Sequence, residues 1–142
     1  MIGDELLVVT SILEHDNKVL ILKRSEKIKS YKHKWSCISG YFENNEDLLS
    51  RALIEIYEET RISKDDMILI RILQQVKIEL ENKKLLTIQP FFFSSKTNII
   101  ALNWENSDYK WIKEEQVKDY DTVPKLTNML HNCFTIIKKG II

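Results

Sequence analysis

Several features that would place this chain of 142 residues in a broad class are missing or scarce. There are only two cysteines, Cys37 and Cys133, far apart and without metal-ligand spacing, which excludes a disulfide framework and a thiolate metal site and points to a reducing compartment. Net charge is lacking too: 21 Lys and Arg offset 21 Asp and Glu, so no overall field concentrates the protein on nucleic acid or an anionic membrane. No run approaches the ~20 apolar residues needed to span a bilayer. The opening Met1-Ile-Gly-Asp-Glu5 carries acids where a secretory signal would carry a basic segment. No repeat, low-complexity tract or linker divides the chain. We therefore expect a single domain over residues 1–142, cytoplasmic, with no membrane partner and no stable nucleic-acid complex. Any polyanionic ligand must be recognised by a local site.

What is present reads as alternating strands and helices. Leu6 to Glu14 and Val19 to Lys23 are β-branched, apolar-rich runs around His15-Asp16-Asn17-Lys18, whose Asp and Asn tolerate the angles of a tight turn, which predicts a hairpin. A basic stretch from Arg24 to Lys34 follows. Trp35 to Phe42 reads as a short strand interrupted by a Ser39-Gly40 loop with an obligatory glycine. Asn44-Asn45-Glu46-Asp47 supplies side-chain acceptors and negative charge suited to a helix start, and a helix is predicted from about 46 to 61. On it Leu49, Ala52, Leu53, Ile56 and Tyr57 share one face, and Arg51, Glu55, Glu58 and Glu59 the other. Met67 to Leu80 and Leu85 to Ser94 flank the polar Glu81-Asn82-Lys83-Lys84 and predict a second hairpin, with Pro90 marking an edge or bulge. Tyr109 to Ile112 is one more short strand. Pro124 to Lys138 has helical spacing, with Leu126, Met129, Leu130, Cys133 and Ile137 as its apolar stripe.

The chemistry is concentrated in the first helix. Glu55, Glu58 and Glu59, at i, i+3 and i+4, bring three carboxylates towards a common point, where they repel one another unless something positive sits among them. Hard oxygen ligands of this kind suit Mg²⁺ or Mn²⁺, whose shells are completed by water and substrate phosphates. The plainer reading is a solvated charged face, for which Arg51, four residues before Glu55, offers an ordinary ion pair.

The full spacing resembles the Nudix box. Gly40, Glu46, Glu55, Ile56, Glu58, Glu59 and Ile62 match the family pattern, whereas Ile54 stands where the family has Arg and Arg61 where it has Gly. The surroundings are similar as well, with a hairpin before the box, Trp35 ahead of the glycine, and the Trp111-Ile112 pair near the end. The resemblance implies an α/β/α sandwich in which a mixed β-sheet lies between the glutamate helix and the C-terminal helix. It implies Mg²⁺-dependent hydrolysis of a diphosphate bond in a nucleoside diphosphate linked to another moiety. Glu55 and Glu59 would be the main metal ligands, Glu58 a further ligand or water-holding group, and Ser39 the donor of a backbone carbonyl. Glu105, or its rival Asp108, would be the late-loop carboxylate acting as general base or ligand. With Ile54 unable to orient the glutamates, Arg51 or Arg61 would take over that role, alongside Glu46 and Gly40. Arg61 must also occupy the left-handed cap normally given to glycine.

Other residues carry two readings. Lys23 and Arg24 end the first hairpin, where the family places a basic residue near substrate phosphate; plain surface charge is the alternative. His33 reads as solvent-facing. Tyr31, Trp35, Phe42 and Trp104 offer aromatic faces, of which Trp104 beside Glu105 is the better stacking candidate for a nucleobase and Trp35 the better packing residue. The cysteines read as small buried apolar groups. Two rival functions remain: a nucleotide-binding sensor without turnover, and isomerase chemistry on a prenyl diphosphate using Cys37. The apolar stripe of the last helix is core or the seam of a homodimer.

Overall fold

The structure, a computed structural model, describes residues 5–42, 46–80 and 83–140. The first hairpin pairs β1 (Glu5–His15) with β2 (Lys18–Arg24), in register Glu14↔Val19 and His15↔Lys18. Its two-residue turn holds Asp16 and Asn17 at φ 54° and 65°, the left-handed pair that such hairpins require. The buried Glu14 locks it by accepting from the Asn17 N–H at 2.8 Å and from the Ser94 hydroxyl at 2.7 Å.

Beyond that turn β1 and β2 splay, and the next segment enters between them. β3 (Trp35–Ser36) pairs with β2, and β4 (Ile38–Tyr41) pairs antiparallel with β1. Ser39 and Gly40 therefore lie inside a strand, opposite Thr10 and Val9, and the predicted loop at this point is a correction. The glycine leaves room for Glu55: a Cβ on Gly40 would lie 2.2 Å from Cδ of Glu55 and displace that side chain.

Met67 to Leu80 is two strands, β5 (Met67–Ile72) and β6 (Val76–Glu79), both antiparallel to β7 (Leu85–Ser95). Of the turn predicted between the runs, Glu81 and Asn82 lie outside the described residues. β7 also runs parallel to β1 along its length, so Pro90 is in an interior strand and not at an edge. It sits where β5 gives way to β6. Its carbonyl accepts from the Leu73 N–H, and the donor that proline lacks is replaced by the Gln89 side-chain amide, which reaches the Leu73 carbonyl at 2.8 Å. β8 (Asn106–Ile112) covers the outer edge of β2 and begins three residues earlier than expected, the Trp104-Glu105 loop leading into it.

Two helices sandwich this mixed sheet. α1 (Leu48–Thr60) packs Ala52 and Ile56 on Val9, Leu13, Phe91 and Phe93. α2 (Leu126–Lys138) packs Leu126, Met129, Leu130, Cys133 and Phe134 on Ile12, Ile21 and Phe92 of the opposite face. Each of the Val, Leu, Ile, Phe and Met side chains among them contributes about 1.5–3 kcal/mol on full burial. α1 starts at Asp47, whose carboxylate accepts from the Ser50 N–H at 2.7 Å; the other start candidates Asn44 and Asn45 lie outside the described residues. Its buried seam runs through Ala52, Ile56, Glu59 and Thr60, so Tyr57, expected on the packing face, is 48 % exposed, and Glu59 is inside. Arg61 ends the helix at φ 65° with its guanidinium over the Tyr57 ring. Among the described residues no helix is long and apolar enough to cross a membrane.

Candidate functional site

The tight fit of Glu55 against Gly40 brings α1 and β4 together at one end of a cleft of about 720 Å³. Ser39, Gly40, Arg51, Glu55, Glu58 and Glu105 line that end. Arg51 organises it. Its Nε and Nη2 donate to the two oxygens of Glu46 at 2.7 and 2.9 Å, and its Nη1 donates to Oε2 of Glu55 at 2.9 Å. All three side chains are largely shielded, and a forked, bidentate contact of this kind fixes direction as well as charge. Ile54 is exposed, and Arg61 is engaged with Tyr57, so among the box arginines it is Arg51 that touches a site carboxylate.

Glu59 is placed differently. Only 3 % exposed, it accepts from the Asn106 side-chain amide at 3.2 Å through Oε1, while its Oε2 is buried without a hydrogen-bond partner. Burial raises its carboxyl well above the ordinary value, the negative charges of Glu105 and Glu55 add to this, and Asn106 and the Ser39 backbone oppose it. Burial likewise raises Glu55; Glu58 and Glu105 push the same way, against Arg51. An unpartnered buried carboxylate oxygen beside further acids is costly unless a cation meets it. The donor set, all hard oxygen, fits Mg²⁺ or Mn²⁺. Among the described residues no three acidic, His or Cys side chains by themselves form a ready metal shell. An ion here would complete its shell with a backbone carbonyl, water and substrate phosphate.

Glu105 is half-buried and bonded to the Asn103 amide, and its charge is felt at Glu55, Glu59 and Arg24. Asp108 lies exposed on β8 opposite Lys23, and neither of these lines the cleft. Arg24 does line it. Its guanidinium is anchored on Ser30 at 2.8 Å (backbone oxygen) and 3.0 Å (hydroxyl), and burial lowers its pKa against the pull of Glu59 and Glu105. Lys27 and Lys29 follow on the same loop. Trp104, 57 % exposed, and Tyr31 stand at the rim, while Trp35 packs edge-on against Tyr120 and His33 faces Glu26 at the surface. Phe42 is not part of the lining. Cys37 is buried under the cleft with its thiol pushed up by burial, and Cys133 is pushed up to about 12, which leaves neither as an activated nucleophile.

Sequence reasoning missed two participants. Asn106, the partner of Glu59, directly follows Glu105, and a carboxamide next to a candidate acid at a strand start was the available signal. Thr10, whose hydroxyl bonds that of Ser39 at 3.0 Å, carried no local signal because the two are joined only by strand pairing.

A model of the NUDIX domain family matches residues 6–133. Among solved structures, the chain is similar to the MutT protein from Methanosarcina mazei Go1, with 24 % identity, coverage of 95 % of this chain and 96 % of that one, and a TM-score of 0.78. It is similar to a C. elegans Ap4A hydrolase solved as a binary complex, with 17 % identity, coverage of 96 % and 98 %, and a TM-score of 0.71. It is also similar to the NUDIX domain of Shewanella oneidensis NrtR complexed with ADP ribose, with 16 % identity, coverage of 94 % and 88 %, and a TM-score of 0.75. At these identities the likeness establishes a shared fold, the α/β/α sandwich expected from the sequence. No curated protein matches the sequence.

Proposed function

The chain belongs to the Nudix family, and from that premise we propose that it hydrolyses the diphosphate bond of a nucleoside diphosphate linked to another moiety, water attacking phosphorus, with Mg²⁺ or Mn²⁺ as cofactor. The observation that carries this reading is the buried, unpartnered Oε2 of Glu59 beside Glu55 and Glu105. Glu55, Glu59 and the Ser39 carbonyl would hold the ion, with Glu58 a further ligand. Bound there, the cation supplies phosphate charge neutralisation and a more acidic water.

The chain's own residues perform the remaining tasks. Arg51, braced by Glu46, holds the Glu55 carboxylate in one direction, so the site is not reorganised when substrate arrives. Arg24, tied to Ser30, offers charge and directional donors to a phosphate, with Lys27 and Lys29 beside it. Lys23 lies outside the cleft lining, which leaves phosphate contacts to these three. Glu58 and Glu105, which line the cleft, would accept the proton from the attacking water, and the exposed Trp104 would offer a face for a base.

The test is release of phosphate and nucleoside monophosphate from nucleoside triphosphates, dinucleoside polyphosphates, ADP-ribose and nucleotide sugars with Mg²⁺ or Mn²⁺, comparing the wild type with Glu58→Gln and Glu59→Gln. Metal-dependent turnover lost in both variants supports the hydrolase. Tight binding by the wild type without turnover would make the chain a sensor module instead.

A further inference from the structure

The acidic end accounts for only part of the cleft. Directly paired residues of neighbouring strands share a sheet face, so the registers define one continuous surface on the α2 side. Ser39 is opposite Thr10, and Tyr41 is opposite Val8; Val8 in turn is opposite Ile88, and Leu86 is opposite Ile78. Every one of these lines the cleft. The surface thus grades from hydroxyls on β4 to aliphatic side chains on β7 and β6, a path of three strand spacings or about 14 Å. The far wall, from the β6–β7 hairpin and α2, consists of Ile78, Leu80, Leu86, Ile88, Leu126 and Met129. None of these carries a strong hydrogen-bonding side chain.

That composition discriminates between ligands. A nucleobase or a sugar placed against this wall would bury donors and acceptors without partners. An aliphatic chain would lose nothing and gain contact along its length. The aromatic faces suited to a base, Trp104 and Tyr31, are at the rim, and the cations suited to phosphate, Arg24, Lys27 and Lys29, lie on the loop that also carries Tyr31.

Resting on the hydrolase reading for its reaction, we propose that the β6–β7–α2 half of the cleft binds an aliphatic group, and that the substrate is a nucleoside diphosphate esterified to an aliphatic alcohol. One water adds across the P–O–P bridge: its oxygen bonds to one phosphorus, the bridging oxygen leaves with the other phosphate, and a proton is released. The products are a nucleoside monophosphate and an alkyl monophosphate, and nothing is oxidised or reduced.

Two measurements separate this inference from the hydrolase reading. First, methylene-bridged analogues, whose P–C–P link water cannot cleave, are titrated with Mg²⁺ present as a series of alkyl esters from ethyl to decyl beside a nucleotide-sugar analogue. Affinity is expected to rise about fourfold per methylene until the wall is covered, and Ile78→Asn and Leu86→Asn to flatten the series; the wild-type series stands by itself if a variant fails to fold. A flat wild-type series, or a sugar analogue binding as well as the decyl ester, overturns the proposal, as does self-association on concentration that closes the cleft and leaves the series flat. Second, kcat/KM is compared for the hydrolysable decyl ester and a nucleotide sugar, with a preference for the ester of about tenfold or more expected. Chain-length-dependent binding without turnover of any ester defeats the hydrolase reading and leaves the aliphatic site intact. Turnover of nucleotide sugars with a flat binding series does the reverse.

Discussion

Glu59 follows Glu55 by four positions on α1, and the fold surrounds the two in opposite ways. Glu55 is held by the protein's own cation, an arginine that Glu46 grips by both its oxygens. Glu59 is deeper, is met by neutral groups, the Asn106 side-chain amide and the Ser39 backbone, and keeps one oxygen unpaired. The difference shows a division of labour within one helix turn. Glu55 can be positioned in advance because Arg51 bonds it directly, whereas Glu59 keeps a buried oxygen with no hydrogen-bond partner, which is of use if a cation arrives. The cost of that arrangement falls on the metal-free fold.

The variant expected to act most strongly on this contrast is Glu59→Gln. It removes the charge that the cation would meet, and because a bound cation contributes several kcal/mol to transition-state stabilisation, turnover is expected to fall roughly 10²- to 10³-fold. The same variant is expected to alter the pH dependence of stability. The Glu59 carboxyl is harder to ionise in the folded chain than in the unfolded one, so between the ordinary value of 4.5 and the raised folded value the native state holds the extra proton. Stability without divalent cation is therefore fullest in acid and declines as pH rises through that window, with Glu55 acting in the same direction. Thermal melts in chelator should show this decline in the wild type, a shallower one in Glu59→Gln, and recovery on adding Mg²⁺. A wild-type melting temperature that rises steadily across the same window would contradict the assignment.

Gly40→Ala attacks the other carboxylate. The added methyl would overlap the Glu55 carboxylate, so Glu55 must leave its place and loosen from Arg51. A loss of about 10- to 100-fold in metal affinity, of the kind seen when groups that orient ligands are disturbed, is expected by calorimetry. Arg51→Ala should produce a loss of the same order or somewhat less, with the fold retained. The sharper test is Arg51→Ala combined with Ile54→Arg, which returns the arginine to the family's position. Recovery of metal affinity in the double variant would show that the arginine's role is transferable within the helix; absence of recovery would tie it to residue 51.

These variants also bring out what the sequence could and could not disclose. Elements governed by local chemistry were legible: Asp16-Asn17 as a left-handed turn, Asp47 within a run of capping residues, the aliphatic stripe from Leu126 to Cys133, and Arg51 on the carboxylate side of α1. Features created by contacts between distant segments were not. Ser39-Gly40 looked like a loop because nothing near them in sequence reveals that Glu55 presses on Gly40. Pro90 looked like an edge because the amide that stands in for its missing donor belongs to a side chain, Gln89, whose reach depends on β5 ending at Ile72. The burial of Glu59 ran against composition itself, since hydrophobicity puts Tyr57 inside, while the seam that α1 buries runs through Ala52, Ile56, Glu59 and Thr60. Asn106 became visible as a partner only once β8 was seen to start there.

The smallest effect is expected at the helix end. Arg61→Gly relieves a left-handed residue, about 1–2 kcal/mol, but gives up the contact with Tyr57 and loosens the unfolded chain, about 0.5–1 kcal/mol each, so the terms nearly cancel and the melting temperature should move by no more than a few degrees. Metal affinity should not change, because Arg61 makes no contact with the site carboxylates among the bonds described.

The most direct test of the central claim, that the unpaired oxygen of Glu59 is kept for a divalent cation, is calorimetric titration of Mg²⁺ into the wild type and Glu59→Gln under identical conditions. Wild type is expected to bind and Glu59→Gln to lose the tight binding. Equal Mg²⁺ affinity in the two proteins would contradict the account.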